Sequence, residues 1–243
     1  MTRKPPSEKS DSTLFFPVPA PARESSSPSA PDSPSPFPSI GLICLLAGFS
    51  RRMGQPKQHI RLGGKTFLER LIGTLQSALQ ADSIPISLTP RLFVGREGDA
   101  QSQALIHSFS GTWIVNPRPE DGPLSSIRCA LNHHPHDSGF LLWPVDHPLI
   151  RAKTVRLVLE AAGRYPEAII APSDGMRRGH PSFFPAWTRD ELLAAPLEEG
   201  ARWVLRRHPE CIRHVLVEDP WIIRNINTPE ILKEAAHILE QET

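Results

Sequence analysis

Short apolar runs alternate with longer amphipathic stretches from residue 40 onward. The apolar runs predict strands at residues 40–46, 91–95, 112–115, 139–145, 167–171 and 212–217. The other stretches predict helices at residues 66–80, 98–109, 124–134, 151–163, 186–207 and 228–241. Such alternation favours an α/β fold, with a mostly parallel sheet between two helical layers. In such sheets ligands bind at the carboxyl ends of the strands.

The first 38 residues differ from the rest of the chain. Residues 1–38 hold ten of the 27 prolines, many serines and charges of both signs. A segment of this composition buries too little apolar surface to offset the entropy lost on ordering. We therefore predict a disordered leader at 1–38 and one α/β domain at 39–243.

Charge and cysteine content exclude several classes of partner. The net charge of +1 gives no broad attraction to nucleic acid, and no apolar run is long enough to span a membrane. Cys44, Cys129 and Cys211 are scattered, which indicates reduced thiols of a cytoplasmic protein. The histidine-rich segment at 133–137 (HHPHD) lacks further ligands at useful spacing, so it predicts a surface loop.

A loop with small and basic residues follows the first predicted strand, with the sequence LAGFSRRMGQPK at 46–57. Glycine lets backbone N–H groups approach an anion closely, serine adds a hydroxyl donor, and arginine and lysine add positive charge. We predict a site for a nucleoside triphosphate formed by Leu46, Ala47, Gly48, Ser50, Arg52 and Lys57. The alternative is a solvated Gly-Ser connection with nearby basic residues.

The loop does not follow the common phosphate-binding patterns. The chain has no G-x-G-x-x-G motif. The segment Gly63-Gly64-Lys65-Thr66 lacks the earlier glycine of a P-loop, because His59 stands at that position. The two glycines therefore predict a turn before the next helix.

The 46–57 loop resembles the signature L-A-A-G-x-S-x-R-M-G-x-x-K of the MobA-like nucleotidyltransferases, which make the nucleotide forms of the molybdenum cofactor. The matching residues are Ala47, Gly48, Ser50, Arg52, Met53, Gly54 and Lys57, while Leu46 replaces an alanine. The resemblance implies a three-layer, Rossmann-like (GT-A-like) nucleotidyltransferase fold. It also implies Mg²⁺-dependent transfer of a nucleoside monophosphate to a phosphorylated acceptor, with release of pyrophosphate.

A second segment, NPRPEDGPLSSI at 116–127, runs from a strand end into a helix. Pro123 suits the first helical turn, and Ser125 and Ser126 can donate to a phosphate near the helix N-terminus. Ordinary polar residues of a helix start explain these serines equally well. The resemblance assigns Gly122 to the nucleotide and both serines to the acceptor.

A carboxylate follows the apolar run at 139–145. Asp146, in the segment VDHPL, is well placed for a cation at the end of a strand, although it can also cap the helix predicted at 151. The family carries G-D-x-P-L here, so the resemblance implies that Asp146 is the principal Mg²⁺ ligand. His147 is expected only to shape the loop.

Two later segments complete the predicted site. The first is the G-H-P segment at 179–181, which resembles the cytidylyltransferase branch of the family. The resemblance implies acceptor contacts by Arg178 and His180, although a solvated basic turn also explains the arginine. Further on, NINTPE at 225–230 predicts an extended segment with Asn225 and Asn227 on one face, followed by a helix. The resemblance implies that these amides assist the metal.

The resemblance favours CTP as the nucleotide and molybdopterin as the acceptor. Ala47, the Gln55-Pro56-Lys57 segment and G-H-P match the cytidylyltransferase branch, whereas Gly122-Pro123-Leu124 and Asn225-Ile226-Asn227 lean toward the guanylyltransferase branch. A sugar-phosphate or methylerythritol-phosphate acceptor stays open. So does a non-catalytic role as a nucleotide- or cofactor-binding chaperone. A molybdoenzyme or an insertion chaperone is the expected protein partner.

Overall fold

The computed structural model describes residues 39–80, 86–133 and 139–241. The leader predicted at 1–38 and residues 134–137 of the histidine-rich segment lie outside these ranges. The domain boundary placed at residue 38 therefore stays a prediction. In the described ranges, no helix is both long enough and apolar enough to cross a membrane.

One seven-stranded sheet forms the centre of the protein. The strands, including those of a separate hairpin, are β1 (Ser39–Leu45), β2 (Arg61–Leu62), β3 (Lys65–Thr66), β4 (Ser87–Gly95), β5 (Thr112–Val115), β6 (Phe140–Pro144), β7 (Ile169–Ser173), β8 (Ser182–Phe184) and β9 (Ile212–Leu216). The order across the sheet is β5–β4–β1–β6–β8–β7–β9. Neighbouring strands are parallel except at β8, which runs antiparallel to both β6 and β7.

Helices cover both faces of the sheet. They are α1 (Phe67–Leu79), α2 (Ala100–Ser108), α3 (Pro123–His133), α4 (Ala152–Arg164), α5 (Thr188–Ala194), α6 (Arg202–Arg207) and α7 (Pro229–Gln241). Buried residues of α1, α2, α4 and α7 join one hydrophobic cluster, and those of α3, α5 and α6 join a second. The predicted three-layer α/β fold is thus confirmed.

The central strand β1 is buried on both faces. Leu42 and Cys44 pack into the first cluster, and Ile43 packs into the second. Because both faces are covered, an unbroken apolar run serves the strand better than alternation with polar residues. The same reason explains why β1 is evident in the sequence.

The strand predictions are confirmed at all six positions, but one strand of the central sheet and the two short hairpin strands β2 and β3 were missed. The run Ser182–Phe184 forms β8, which is fully buried and only three residues long. The single helix predicted at 186–207 is wrong. Pro196 and Gly200, the latter with a φ of 61°, separate α5 from α6.

The Gly63-Gly64 turn is confirmed. Both glycines have positive φ angles, of 56° and 78°, and they join β2 to β3 in a hairpin. Such angles favour glycine, which has no Cβ. The hairpin leads directly into α1.

Helix α1 begins with a capping box. Thr66 Oγ1 accepts from Glu69 N at 3.1 Å, and Glu69 Oε2 accepts from Thr66 N at 2.6 Å. These bonds lower the pKa of the Glu69 carboxyl and satisfy two backbone donors that a bare helix start leaves unpaired. The cap fixes the point where the hairpin ends and the helix begins.

Replacing the cap should measurably weaken the fold. We expect Thr66→Ala to lower the free energy of unfolding by about 1 kcal/mol, and Tm by about 2–4 °C. Ser77→Ala, at an exposed position of the same helix, is the control and should change little. Thermal unfolding followed by circular dichroism measures both, and equal stability of the two variants would contradict the role of the cap.

Candidate active site

The predicted site residues gather at one edge of the sheet. The loops that follow β1, β4, β5 and β6 leave at this edge because these strands are parallel. Strand β8 runs in the opposite direction, so the segment before it, with His180, returns to the same edge. This reversal explains how a residue that precedes a strand can join residues that follow strands.

The 46–57 loop is folded tightly on itself. Leu46 and Ala47 are buried, and Leu46 N donates to Val94 O of the neighbouring strand at 2.8 Å. Ser50 has a left-handed backbone with a φ of 51°, and its Oγ accepts from Lys57 N at 3.2 Å. Gly48 is exposed, and a Cβ built there meets nothing within 4 Å. The loop thus leaves open space beside Gly48 and fixes the backbone at Lys57.

Three side chains that are far apart in the chain meet at this edge. Lys57 Nζ lies 2.9 Å from Asp146 Oδ2 and also donates to Asn227 Oδ1. The Lys57 and Asp146 side chains are only 16% and 19% exposed. The lysine ammonium therefore lies between two oxygen ligands at the place where the sequence predicted a metal.

The Asp146 carboxylate fits a divalent cation. Burial raises the pKa of its carboxyl, but the Lys57 ammonium more than offsets this, and the net pKa is below the ordinary value. Asp146 Oδ1 is buried and has no hydrogen-bond partner in the described residues. Hard cations such as Mg²⁺ prefer carboxylate and amide oxygens. The unpartnered oxygen, with the Asn227 amide nearby, supplies that chemistry.

Asp146 does not cap the following helix. The N-cap residue of α4 is Arg151, and no side chain caps the helix. Asp219 supports its first turn, because its Oδ2 accepts from Arg151 N at 2.9 Å and from Thr154 Oγ1 at 2.6 Å. The alternative role that the sequence left open for Asp146 is therefore wrong.

Two imidazoles lie behind Asp146. The His147 and His180 rings are 4.9 Å apart, and His147 Nε2 lies 4.0 Å from Asp146 Oδ1. His147 is held by Trp221 O, 3.2 Å from its Nδ1, and its backbone carbonyl accepts from Trp143 Nε1. Burial lowers the pKa of both imidazoles, so each is neutral at physiological pH. The sequence predicted only that His147 shapes the loop, and this prediction missed its contact with the Asp146 carboxylate.

The segment with the two asparagines follows a 3-10 turn at Pro220–Ile222, and Ile226 N donates to Asp146 O at 2.8 Å. Residues 225–227 join no strand, and the buried Ile226 separates the two asparagines, so the extended backbone stays a prediction. Asn227 points to Lys57, whereas Asn225 is exposed and, among the contacts of the described residues, bonds neither Lys57 nor Asp146. The predicted helix start at Pro229 is confirmed.

The loop after β5 is organised by Asn116. Its Nδ2 donates to Ser125 Oγ at 2.7 Å and to Ser126 Oγ at 2.9 Å. Ser126 is buried and Ser125 is partly exposed, with its hydroxyl also bonded to Gly122 O. Gly122 has a φ of 85°, which allows the turn into α3. The asparagine, which the sequence analysis did not single out, orients both serines.

The predicted arginines extend into solvent. Arg52 is exposed and makes no hydrogen bond or ion pair in the part of the chain that the structure describes. Arg178 is also exposed and pairs with Ser173 through a backbone bridge. Near Arg52, the exposed Phe49 ring lies 5.6 Å from the Arg51 guanidinium and 5.3 Å from that of Arg96. This edge of the sheet therefore carries several positively charged arginine side chains that reach solvent.

Asp99 is a positioning residue that the sequence did not reveal. It caps α2, and its carboxylate also accepts from Gln58 Nε2 at 2.7 Å and pairs with His59 Nε2 at 2.9 Å. These bonds fix the 3-10 turn Lys57–His59 to α2. An aspartate at a helix start reads as a cap, and nothing in its spacing indicates the second role.

The fold and the site suit a class: an α/β nucleotidyltransferase, here with a loop of small and basic residues and a carboxylate at the edge of its sheet. The MobA-like NTP transferase domain matches residues 42–212, which is well over half of the chain. The protein therefore belongs to the MobA-like NTP transferase family.

Several solved structures share the fold. Rv0371c from Mycobacterium tuberculosis is 19% identical, with a TM-score of 0.65 over 82% of this chain and 98% of that one. Molybdopterin-guanine dinucleotide biosynthesis protein A from Archaeoglobus fulgidus is 20% identical, with a TM-score of 0.60 over 83% and 100%. The 4-diphosphocytidyl-2C-methyl-D-erythritol synthase from Anaerococcus prevotii is 14% identical, with a TM-score of 0.58 over 84% and 96%. A manganese complex of Rv0371c, 16% identical, aligns with a TM-score of 0.60 over 83% and 99%.

Removing the lysine ammonium should expose the cation ligands. We expect Lys57→Ala to bind Mn²⁺ at least about tenfold more tightly than the wild type without nucleotide, because repulsion between nearby positive charges amounts to several kcal/mol. The free Mn²⁺ signal in electron paramagnetic resonance measures the affinity. Lys65→Ala, which removes an exposed lysine of the hairpin, is the control and should match the wild type. Equal or weaker binding by Lys57→Ala would contradict the competition.

Proposed function

We propose that the protein is a Mg²⁺-dependent nucleotidyltransferase that transfers CMP from CTP to the phosphate of molybdopterin, releasing pyrophosphate. One observation carries the proposal: Lys57 bonds both Asp146 and Asn227, and the buried Asp146 Oδ1 has no hydrogen-bond partner in the described residues. This meeting lies beside the loop with the family signature. Such a set suits a reaction that needs positive charge around a triphosphate.

The 46–57 loop binds the nucleotide in this proposal. The backbone at Leu46, Ala47 and Gly48 faces the base, and the open space at Gly48 admits a ligand. Arg52 and Lys57 bind the triphosphate, while the hydroxyl of Ser50 holds the Lys57 backbone in place. Gly122 approaches from the neighbouring loop.

Asp146 and Asn227 would hold the metal in this proposal. The exposed Asn225 side chain would add a third oxygen ligand after a change of rotamer. When bound, Mg²⁺ neutralises the triphosphate and the charge that develops on the leaving pyrophosphate. Lys57 occupies the two oxygens in the metal-free protein, and it moves to the triphosphate when substrates bind. The manganese complex of Rv0371c supports a divalent ion in this fold.

The acceptor lies on the other side of the edge, near Ser125, Ser126, Arg178 and His180. Ser125 is partly exposed and Arg178 fully, so both can reach a phosphate. The Nδ1 atom of His180 is buried and has no hydrogen-bond partner in the described residues, so it would bond to an acceptor group only once the segment that enters β8 moves to expose it. The buried hydroxyl of Ser126 supports the loop.

The reaction needs no added base in this chain. A phosphate monoester is already an anion near neutral pH, so its oxygen attacks the α-phosphorus directly once aligned. The bond from that phosphorus to the bridging oxygen breaks, and pyrophosphate leaves with the electron pair. The protein contributes alignment and positive charge.

The choice of CTP rests on the sequence resemblance at Ala47, at residues 55–57 and at G-H-P. GTP is the main alternative, because molybdopterin-guanine dinucleotide biosynthesis protein A shares the fold. A phosphorylated sugar alcohol is an alternative acceptor. The three unpaired cysteines suit a reducing compartment such as the cytoplasm, where the product would pass to a molybdoenzyme or its insertion chaperone.

The proposal is tested by pyrophosphate release with Mg²⁺ and each of the four NTPs, with and without molybdopterin. Release that requires both CTP and molybdopterin is the expected result. Preference for GTP would move the assignment to the guanylyltransferase branch. Binding of a nucleotide without turnover would contradict molybdopterin as the acceptor and would point to another phosphorylated acceptor or to the chaperone role.

Loss of the carboxylate should abolish transfer while leaving the fold intact. We expect Asp146→Ala to reduce turnover at least about a hundredfold, because a metal ligand acts directly on charge in the transition state. Asp190→Ala, which removes an exposed carboxylate from α5, is the matched control. Pyrophosphate release measures turnover, and circular dichroism checks the fold. Near-normal activity in Asp146→Ala would refute the assignment.

A further inference from the structure

A second group of metal-binding side chains lies between α6 and β9, away from the active site. His208, Glu210 and Cys211 each offer one ligand atom, and these atoms all lie within 4.8 Å of one another. In the described ranges, this is the one group of three histidine, cysteine or acidic side chains gathered this closely. The transfer reaction does not use any of the three.

The backbone brings the three ligands together. His208 N donates to Val204 O at 3.0 Å, which ties the residue to the last turn of α6. Cys211 N donates to His208 O at 3.1 Å and closes a 3-10 turn at Pro209–Cys211. The group is therefore held on a fixed turn between a helix and a strand.

The His208 imidazole is oriented from behind. Glu191 Oε1 lies 3.0 Å from His208 Nε2, and Arg207 Nε donates to the other oxygen of Glu191 at 3.2 Å. The Trp187 ring packs edge-on, 4.9 Å from the imidazole. A proton on Nε2 satisfies Glu191 and leaves the Nδ1 lone pair free to coordinate. Metal-bound histidines use such a carboxylate on the second nitrogen.

The other two ligands are joined by a hydrogen bond. The Cys211 thiol donates to Glu210 Oε1, with Sγ and Oε1 3.6 Å apart, and the same oxygen lies 3.7 Å from His208 Nδ1. A bound cation would take the place of the thiol proton in this contact, and the proton would pass to solvent.

We propose that His208 Nδ1, Cys211 Sγ and a Glu210 oxygen bind a thiophilic divalent cation such as Zn²⁺, with water as the fourth ligand. Nitrogen, thiolate and carboxylate donors together suit Zn²⁺ rather than Mg²⁺. Zinc–ligand distances of about 2.0–2.3 Å require ligands spaced by roughly 3.5 Å. Glu210 Oε1 already lies at about this spacing from the other two ligand atoms. Binding therefore needs only His208 Nδ1 and Cys211 Sγ, at most 4.8 Å apart, to come closer through a small side-chain adjustment.

The position of the group separates it from catalysis. It lies before β9, at the amino end of a strand parallel to β7, whereas Asp146 follows the carboxyl end of β6. The two sites are thus at opposite edges of the sheet. A cation here would join α6 to β9 and, through Glu191, to α5. The proposed cation is structural and does not depend on the proposed transfer reaction.

The experiment is a Co²⁺ titration of the full-length, metal-stripped protein, followed by competition with Zn²⁺. We expect one equivalent of Co²⁺ to give a thiolate-to-cobalt absorption band that Zn²⁺ removes and excess Mg²⁺ does not. Cys211→Ser should lose the band, whereas Cys129→Ser, which removes another partly buried thiol, should keep it. Absence of the band in the wild type, or its persistence in Cys211→Ser, would overturn the proposal.

Two further variants test the geometry. Glu191→Gln should keep the band but weaken Co²⁺ binding by about 10–100-fold, as loss of outer-shell partners does. Asp146→Ala should bind Co²⁺ at this group as the wild type does. Zn²⁺ should raise the Tm of the wild type but not of Cys211→Ser. Unchanged affinity in Glu191→Gln, or loss of the band in Asp146→Ala, would count against the assigned ligands.

Discussion

The candidate active site depends on the bonds that the Lys57 ammonium makes. It lies between Asp146 and Asn227, which stand 89 and 170 residues away in the chain. A buried carboxylate is costly unless a cation compensates it, and here the lysine does so in the protein alone. In the proposed reaction a metal takes over this compensation and the lysine moves to the triphosphate. One cation thus replaces another, and the carboxylate is never left without a positive partner.

Buried polar residues secure the loops around this ion pair. Asp219 supports the first turn of α4 just beyond Asp146, Asp99 fixes the turn at Lys57 to α2, and Asn116 orients the two serines in the first turn of α3. Each one links a loop at the edge to the start of a helix. Since helix starts carry unpaired backbone donors, an oxygen-bearing side chain can satisfy the helix and position the loop together.

Much of this arrangement is predictable from sequence. The interior strands β1, β6 and β7 stand out because strands buried on both faces read as apolar runs. Lys57 and Asp146 are evident from the motif and from a charge placed at a strand end. Strand β8 is too short to show a period. Pro196 and Gly200, however, were visible signals of the helix break that the single prediction at 186–207 did not use.

The partnerships could not be predicted, because they depend on contacts made only in the folded chain. Asp99 is recognisable in the sequence as a helix cap. Its bonds to Gln58 and His59, which lie 41 and 40 positions earlier in the chain, leave no local sequence pattern. Asn227 and Asn225 look equivalent in sequence. In the folded chain, Asn227 bonds Lys57, whereas Asn225 is exposed and shows no such bond among the described residues.

Because β8 is antiparallel to its neighbours, the candidate site combines residues from early and late parts of the chain. Everything assigned to the nucleotide comes from segments before β6, while Arg178 and His180 arrive on the segment that enters β8. That segment also contacts the chain after β9, where His180 N donates to Ile222 O at 2.9 Å. In the proposed assignment the acceptor therefore meets residues from two distant parts of the chain, and a change confined to the segment before β8 would alter the acceptor side while the sequence of the 46–57 loop stays the same.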